Sequence, residues 1–201
     1  MGNDEYLQQI EEEIYQKAVD AIASWNEPDI YVVSFYYWED GQNPCKPRLS
    51  IGFNTESHYR EVSEGMERED YLFDYRWNFA WWLQNNDAVQ YGCDPQSAEL
   101  VRKWVGSCGV FYFDKYGECP DIKDNEDELN KYQAMEDAFI DMLVRVVQRI
   151  HKDGILKSRF GKELPIIIHE LEYYDEPLKI NLAANGPELI EQGFIDLCKG
   201  R

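Results

Sequence analysis

The segment from Leu164 to Gly186 reads LPIIIHELEYYDEPLKINLAANG and contains the most hydrophobic strand candidate of the chain. Pro165 suits the first position of a strand. The three isoleucines that follow it are apolar on both faces, which is typical of a strand covered on both sides. We therefore expect Leu164 to Tyr174 to form an interior strand. Asp175 is suited to cap the helix that follows, and Gly186 can end that helix in the left-handed conformation.

Four titratable residues cluster where this strand ends, namely His169, Glu170, Glu172 and Asp175. Because side chains alternate along a strand, Glu170 and Glu172 share one face, and His169 lies on the other, mostly apolar face. One interpretation is a functional site, either a catalytic base or a partner-binding patch. The other is a core histidine, a solvated strand end and a helix cap. A metal site is not expected, because no second histidine lies nearby in the sequence.

A second unusual segment, YLFDYRWNFAWWLQ at 71–84, alternates aromatic with other residues. A period of two predicts a strand, here to about Trp77, followed by a helical turn. One interpretation is an aromatic wall beside a pocket, with Arg76 holding an anion or a carboxylate. The alternative is core packing, which regular aromatic spacing usually reflects. Trp81 and Trp82 cannot both be buried easily, so either of them is a candidate for a surface.

The remaining pattern predicts one α+β domain over residues 1–201. Apolar residues at helical spacing predict amphipathic helices from about Asp4 to Trp25 and from Glu126 to Lys152. Two strands, Ile30–Trp38 and Arg48–Phe53, suggest an antiparallel hairpin with a long loop. We expect a mainly antiparallel sheet of about five strands, packed by the first helix and the long helix. Shorter predicted elements are a helix within 54–65, a helix from Pro95 to Gly106, a strand from Val110 to Phe113 and a last helix from Pro187.

The composition restricts the classes of partner. The net charge is −19 and the pI is near 4.4, which argues against binding to nucleic acid or anionic membrane and permits a basic protein partner. The start of the chain has no leader and no apolar run approaches membrane-spanning length, so a cytoplasmic protein is expected. Its five cysteines are odd in number and widely spaced, which is typical of reduced thiols. Glycine-rich phosphate loops, dinucleotide fingerprints and serine elbows are missing, so no cofactor is expected.

Two segments carry a resemblance to a known family. The residues from Arg76 to Trp81 resemble an R-W-x-x-A-x-W element, and those from Pro165 to Asp175, with Asn181 and Asn185, resemble a P-[apolar]₃-H-E-x-E-Y-Y-D…N…A-N element. Together they look like a bacterial domain-of-unknown-function family, number 4303. Here 78–79 is Asn-Phe where that family usually has a small residue and proline. The family has no established activity, so the resemblance implies no catalytic residue. Families of this kind sometimes resemble immunity proteins of polymorphic toxin systems, which are small, acidic and non-enzymatic.

Two functional hypotheses follow. The first is a non-enzymatic, immunity-protein-like module that holds a basic protein partner, such as a toxin, on an acidic and aromatic surface. The second is a hydrolase that uses His169 with Glu170 or Glu172. A His169 side chain that is enclosed and bonded to the backbone would count against the hydrolase. The oligomeric state is left open. The residues expected to line the binding surface are Arg76, Trp81, His169, Glu170, Glu172 and Asp175.

Overall fold

The structure is a computed structural model, and it describes residues 2–39, 45–65, 72–83, 89–110, 126–170 and 175–200. The helices are α1 (Asn3–Ser24), α2 (Glu56–Ser63), α3 (Leu72–Trp77), α4 (Pro95–Ser107), α5 (Glu126–Lys152), α6 (Ile155–Phe160), α7 (Asp175–Asn185) and α8 (Gln192–Cys198). The strands are β1 (Ile30–Glu39), β2 (Pro47–Thr55), β3 (Val89–Tyr91) and β4 (Ile166–His169), and a 3₁₀ turn covers Phe79–Trp81.

The described strands form one mixed sheet in the order β3-β2-β1-β4. Antiparallel pairing joins β1 to β2 and β2 to β3, whereas β4 runs parallel to β1. The predicted α+β class and the β1–β2 hairpin are confirmed. The prediction of about five mainly antiparallel strands is wrong, because the chain reaches β4 through helices, and a helical connection permits parallel pairing.

The strand predicted as interior, Leu164 to Tyr174, is shorter and lies at an edge of the sheet. Only Ile166–His169 forms β4, and residues 171–174 lie outside the described part of the chain. Its run of isoleucines is nevertheless buried on both faces, because Ile166 and Ile168 enter one apolar core and Ile167 enters another. The apolar pattern therefore identified burial on both faces, which does not require a strand on each side.

Two apolar cores cover the two faces of the sheet. The larger core joins β1, β2 and β4 to α1, α4 and α5, with Phe35, Trp104 and Phe139 among its fully enclosed side chains. The smaller core joins β1 and β4 to α8 and to residues 72–83, which comprise α3 and the 3₁₀ turn and are called the α3 segment. Trp77 and Phe194 are among the side chains of this core. Any site near the end of β4 is therefore positioned by helices from both layers.

The two long amphipathic helices, α1 and α5, have nearly the predicted bounds, whereas the aromatic segment differs from its prediction. The helix α1 begins and ends one residue earlier than expected, and α5 has the predicted bounds. The predicted strand to Trp77 is wrong, since α3 occupies Leu72–Trp77, although the helical turn after it is present at Phe79–Trp81. With six residues α3 makes fewer than two turns, so its sequence is too short to display the helical period. The last helix begins at Gln192 and not at Pro187, β3 and α6 were not predicted, and residues 111–113 of the predicted fourth strand lie outside the described part.

Candidate functional site

His169 lies at the end of β4 and is 1% exposed. Its Nδ1 atom is 2.8 Å from the main-chain carbonyl oxygen of Glu170, and its Nε2 atom is 2.8 Å from the hydroxyl oxygen of Ser34. Because a carbonyl oxygen only accepts, Nδ1 carries the proton and Nε2 accepts from the Ser34 hydroxyl. Burial lowers the pKa of His169 to about 4. The ring is therefore neutral at physiological pH.

Three aromatic rings enclose the imidazole of His169. The ring centroids of Tyr36, Phe79 and Trp82 lie 5.5, 4.5 and 5.4 Å from the histidine ring. A substrate could reach the imidazole only if these rings moved. The enclosure and the backbone bond are the two features that count against His169 as the base of a hydrolase.

Arg76 holds carboxylates, and both of them belong to this chain. Its Nη1 and Nη2 atoms donate to the two oxygens of Glu56 at 3.0 Å each. Its Nε and Nη2 atoms donate to Glu191 at 3.2 and 3.4 Å. The guanidinium also lies over the Tyr31 ring, 4.1 Å from the centroid. Although burial alone would lower the pKa of Arg76, the hydrogen bonds to Glu56 and Glu191 raise it further above its ordinary value. The side chain therefore ties α2, α3 and the start of α8 together.

Of the two adjacent tryptophans, Trp82 is buried and Trp81 is 40% exposed. The Trp82 Nε1 atom donates to the carbonyl oxygen of Arg76 at 2.8 Å. Trp81 packs on Tyr75, with ring centroids 4.7 Å apart, and its Nε1 atom donates to Asp74 at 3.3 Å. The expectation that both could not be buried is confirmed, and Trp81 is the member of the pair that a partner could contact.

Glu170 joins a group of acidic side chains that the sequence did not bring together. Since β1 and β4 are parallel, their carboxyl ends lie at the same end of the sheet, where Glu39 ends β1 and Glu170 follows β4. Burial, and then the charges of Glu136 and Glu170, raise the pKa of Glu39 to about 7. Burial, and then Glu170 and two other carboxylates, also raise the pKa of Glu136. Three carboxylates, those of Glu39, Glu136 and Glu170, are therefore close together where α5 passes this end of the sheet.

Next to this group a cavity of about 480 Å³ opens between α5 and α7, and we call it the acidic groove. Its apolar side chains are buried or partly exposed, whereas three of its four carboxylates are exposed. This arrangement accommodates the aliphatic stem and the cationic head of a lysine or arginine side chain. The acidic groove is lined by Glu136, Asp137, Asp141 and Glu176, by Tyr37, Ile140, Pro177 and Ile180, and by Gln133 and Lys179.

The six residues predicted for the site do not form one surface. Glu170 lies beside the acidic groove, His169 is enclosed in the core, and Arg76 and Trp81 belong to the α3 segment on the other side of the sheet. Glu172 and the side chain of Asp175 lie outside the described residues, although α7 does begin at Asp175.

The groove residues of α5 and α7 were missed by sequence reasoning. One signal was present. Glu136 is an acidic residue that interrupts the apolar stripe of the long helix, among buried positions such as Tyr132 and Phe139. A carboxylate at such a position indicates either an ion pair or an opening at the helix surface.

Within the described residues, no group of three or more His, Cys, Asp or Glu side chains is placed to hold a metal ion. None of the described helices combines the length and the apolar character that crossing a membrane requires. Comparisons of the chain with protein-family models, with curated proteins and with solved structures found no match.

Proposed function

We propose that the protein is a non-enzymatic binding module that holds a basic protein partner in the acidic groove between α5 and α7. The observation that carries this proposal is the groove itself, a cavity of about 480 Å³ with four carboxylates around apolar side chains. A lysine or arginine side chain fits both parts of this lining, since its stem packs on apolar atoms and its head pairs with carboxylates.

The charge distribution supports a cationic partner. The groove lining has four carboxylates and one lysine, Lys179, and the whole chain has a net charge of −19. A partner cation would relieve the repulsion that contributes to the raised pKa of Glu136, and the field of the whole chain would accelerate the approach of a basic protein. Tyr37 also lines the groove and offers an aromatic face to a cation.

The resemblance to the family of unknown function supports a more specific role. Immunity proteins are non-enzymatic and bind a toxin in the cytoplasm, and an acidic groove suits a basic toxin. In this role the groove would hold a lysine or arginine of the toxin. Trp81 would serve as a separate aromatic contact, because it lies on the other side of the sheet.

The test is a capture experiment with two variants of equal net charge. The groove variant carries Asp137→Asn, Asp141→Asn and Glu176→Gln, all at exposed groove positions. The control variant carries Asp20→Asn, Glu27→Gln and Glu188→Gln, which are exposed positions elsewhere. Tagged wild type and both variants are used to capture proteins from the cells of origin at low and moderate salt, with identification by mass spectrometry.

We expect wild type and the control variant to retain one basic protein at low salt, and the groove variant to bind it about tenfold more weakly or worse, a loss of about 1.4 kcal/mol. Moderate salt should release the partner, because exposed charges are screened. Equal retention by the groove variant would overturn the assignment of the groove. Capture of no basic protein at either salt concentration would overturn the proposed function.

A further inference from the structure

β4 lies at one edge of the sheet, and its outer side faces no other strand among the described residues. An edge strand presents unpaired N–H and C=O groups, and an apolar edge strand invites pairing with another chain. The main-chain N–H and C=O groups of successive residues in a strand point to opposite sides. In β4, the carbonyl of Pro165 points towards β1, because it accepts from the N–H of Val33 at 2.9 Å. Pro165 and Ile167 therefore face β1, whereas Ile166 and Ile168 face away from it.

Two asparagines of α7 occupy the outward groups of β4. The side-chain oxygen of Asn185 accepts from the N–H of Ile166, and its Nδ2 atom donates to the carbonyl of Ile166, each at 2.8 Å. Asn181 makes the same two bonds with Ile168, also at 2.8 Å each. Each asparagine thus replaces the hydrogen bonds that one residue of a neighbouring strand would make.

The remaining contacts fix the orientation of both side-chain amides. The second hydrogen of Asn181 Nδ2 goes to the carbonyl of Pro177 at 2.8 Å, and that of Asn185 Nδ2 goes to the carbonyl of Asn181 at 3.0 Å. Asn181 is 0% exposed and Asn185 is 9% exposed. The Oδ1 atom of Asn185 also lies 3.1 Å from Nε2 of His151 on α5. Both asparagines are therefore anchored, and neither is available to solvent.

Helix and strand geometry explain the spacing of these residues. Positions i and i+4 of an α-helix are about 6.0 Å apart along its axis. Positions i and i+2 of a parallel strand are about 6.6 Å apart. Asparagines on successive turns therefore reach alternate residues of a strand. The pairing of Asn185 with Ile166 and of Asn181 with Ile168 requires α7 to run antiparallel to β4.

We propose that α7 guards the sheet edge, with Asn181 and Asn185 taking the hydrogen bonds through which β4 would otherwise pair with β4 of a second copy of this chain. A second copy is the natural occupant because every molecule carries the same apolar Ile166–Ile168 run at this edge. This inference is independent of the acidic groove and of any partner.

Residue-resolved amide hydrogen exchange of the full chain tests whether Asn181 and Asn185 protect the outward amides of β4. The variants are Asn181→Ala, Asn185→Ala and the double variant, with Asn130→Ala, an exposed helical asparagine of α5, as the matched control. We expect Asn185→Ala to increase the exchange rate of the Ile166 amide by tenfold or more, and Asn181→Ala that of the Ile168 amide. The Ile167 amide, which faces β1, should keep the rate it has in wild type and in the control.

Sedimentation at increasing protein concentration tests the consequence. The double variant should associate, and association should restore protection to the Ile166 and Ile168 amides. A folded double variant that remains monomeric, or that associates without protecting these two amides, would overturn the proposal. If the double variant does not fold, the single variants decide. The proposal would be overturned if the Ile166 and Ile168 amides exchanged at their wild-type rates in both single variants.

Discussion

Among individual side chains, His169 best shows how burial decides the chemistry of a residue. The sequence allowed it to be a base, but its Nδ1 proton is held by a backbone carbonyl and its Nε2 atom by Ser34. Both nitrogens of the neutral ring have partners, so the imidazole completes a buried polar pair. A core histidine of this kind is stabilised by its hydrogen bonds and penalised only when it must become charged.

The lowered pKa of His169 predicts a pH dependence of stability. Its folded-state pKa is about 4, below the ordinary value of about 6.5. Between pH 6.5 and pH 4, the unfolded chain therefore binds a proton at His169 that the folded protein does not bind. The contribution to stability is complete above pH 6.5 and is lost as the pH falls towards 4, by at most about 1.4 kcal/mol per pH unit.

Urea unfolding of wild type and His169→Gln at pH 7 and pH 5 measures this effect, and the variant should lose less stability on acidification. Imidazole ¹⁵N shifts should show a neutral, Nδ1-protonated ring at both pH values. A histidine that titrates near pH 6.5 would contradict the prediction.

Among the secondary-structure elements, the short helices depend on ion pairs more than on their own propensity. The helix α3 has only six residues and α8 has seven, which is too short to be stable in isolation. Arg76 connects them to α2 through Glu56 and Glu191, and its side chain is only 18% exposed. The packing of α3 and α8 on the sheet therefore includes a charged clamp.

Arg76→Ala should lower the free energy of unfolding by about 2–3 kcal/mol, because charge-assisted hydrogen bonds and ring stacking are lost together. Arg76→Lys should recover only part of this loss, since lysine lacks the planar fork. The matched control is Arg102→Ala, whose contact with Glu99 is about half exposed and should contribute little, because solvent screens the pair. Equal losses for Arg76→Ala and Arg102→Ala in denaturant titrations would show that the clamp is not stabilising.

For the molecule as a whole, the excess of negative charge opposes folding, and under the proposed function it attracts a cationic partner. The net charge of −19 increases the electrostatic self-repulsion of the folded chain. Part of this charge is concentrated in the acidic groove, where Asp137 and Asp141 stand four residues apart on α5. Such like-charged pairs destabilise a helix. A binding surface that costs stability is expected where function requires the charge.

Asp137→Asn should therefore raise the free energy of unfolding, by about 0.2–0.5 kcal/mol at low salt, because Asp141 is the charged neighbour of Asp137 at helical spacing. Asp20→Asn on α1 is the control, because Asp20 has Lys17 three residues before it and no acidic neighbour at helical spacing. The stabilisation should shrink at moderate salt, as screening reduces the repulsion. Thermal melts at two salt concentrations provide the comparison, and a destabilised Asp137→Asn protein would contradict the prediction that this pair of carboxylates weakens the fold.

The parts of the fold that the sequence predicted well are those governed by neighbouring residues. The bounds of α1 and α5, the start of α4 at Pro95 and the β1–β2 hairpin follow from periodicity, from the preference of proline for the first helical turn and from turn chemistry. The aromatic segment was misjudged because α3 is too short to display a helical period. Near the candidate site, the sequence predicted only Glu170, which lies beside the acidic groove. The four carboxylates that line the groove come from α5 and α7, and tertiary packing decides that these two helices meet.

Composition and local pattern were enough to predict the α+β class, the two long amphipathic helices, the charge of −19 and the burial of the isoleucine run. Each of these depends on composition or on residues within a few positions of one another. The strand order, the partners of Arg76 and the asparagine bonds at the edge of β4 became visible only in the folded chain. These depend on contacts such as that between Arg76 and Glu191, 115 positions apart. No local pattern encodes which distant side chains meet, because that outcome is set by the packing of the whole chain around its two cores.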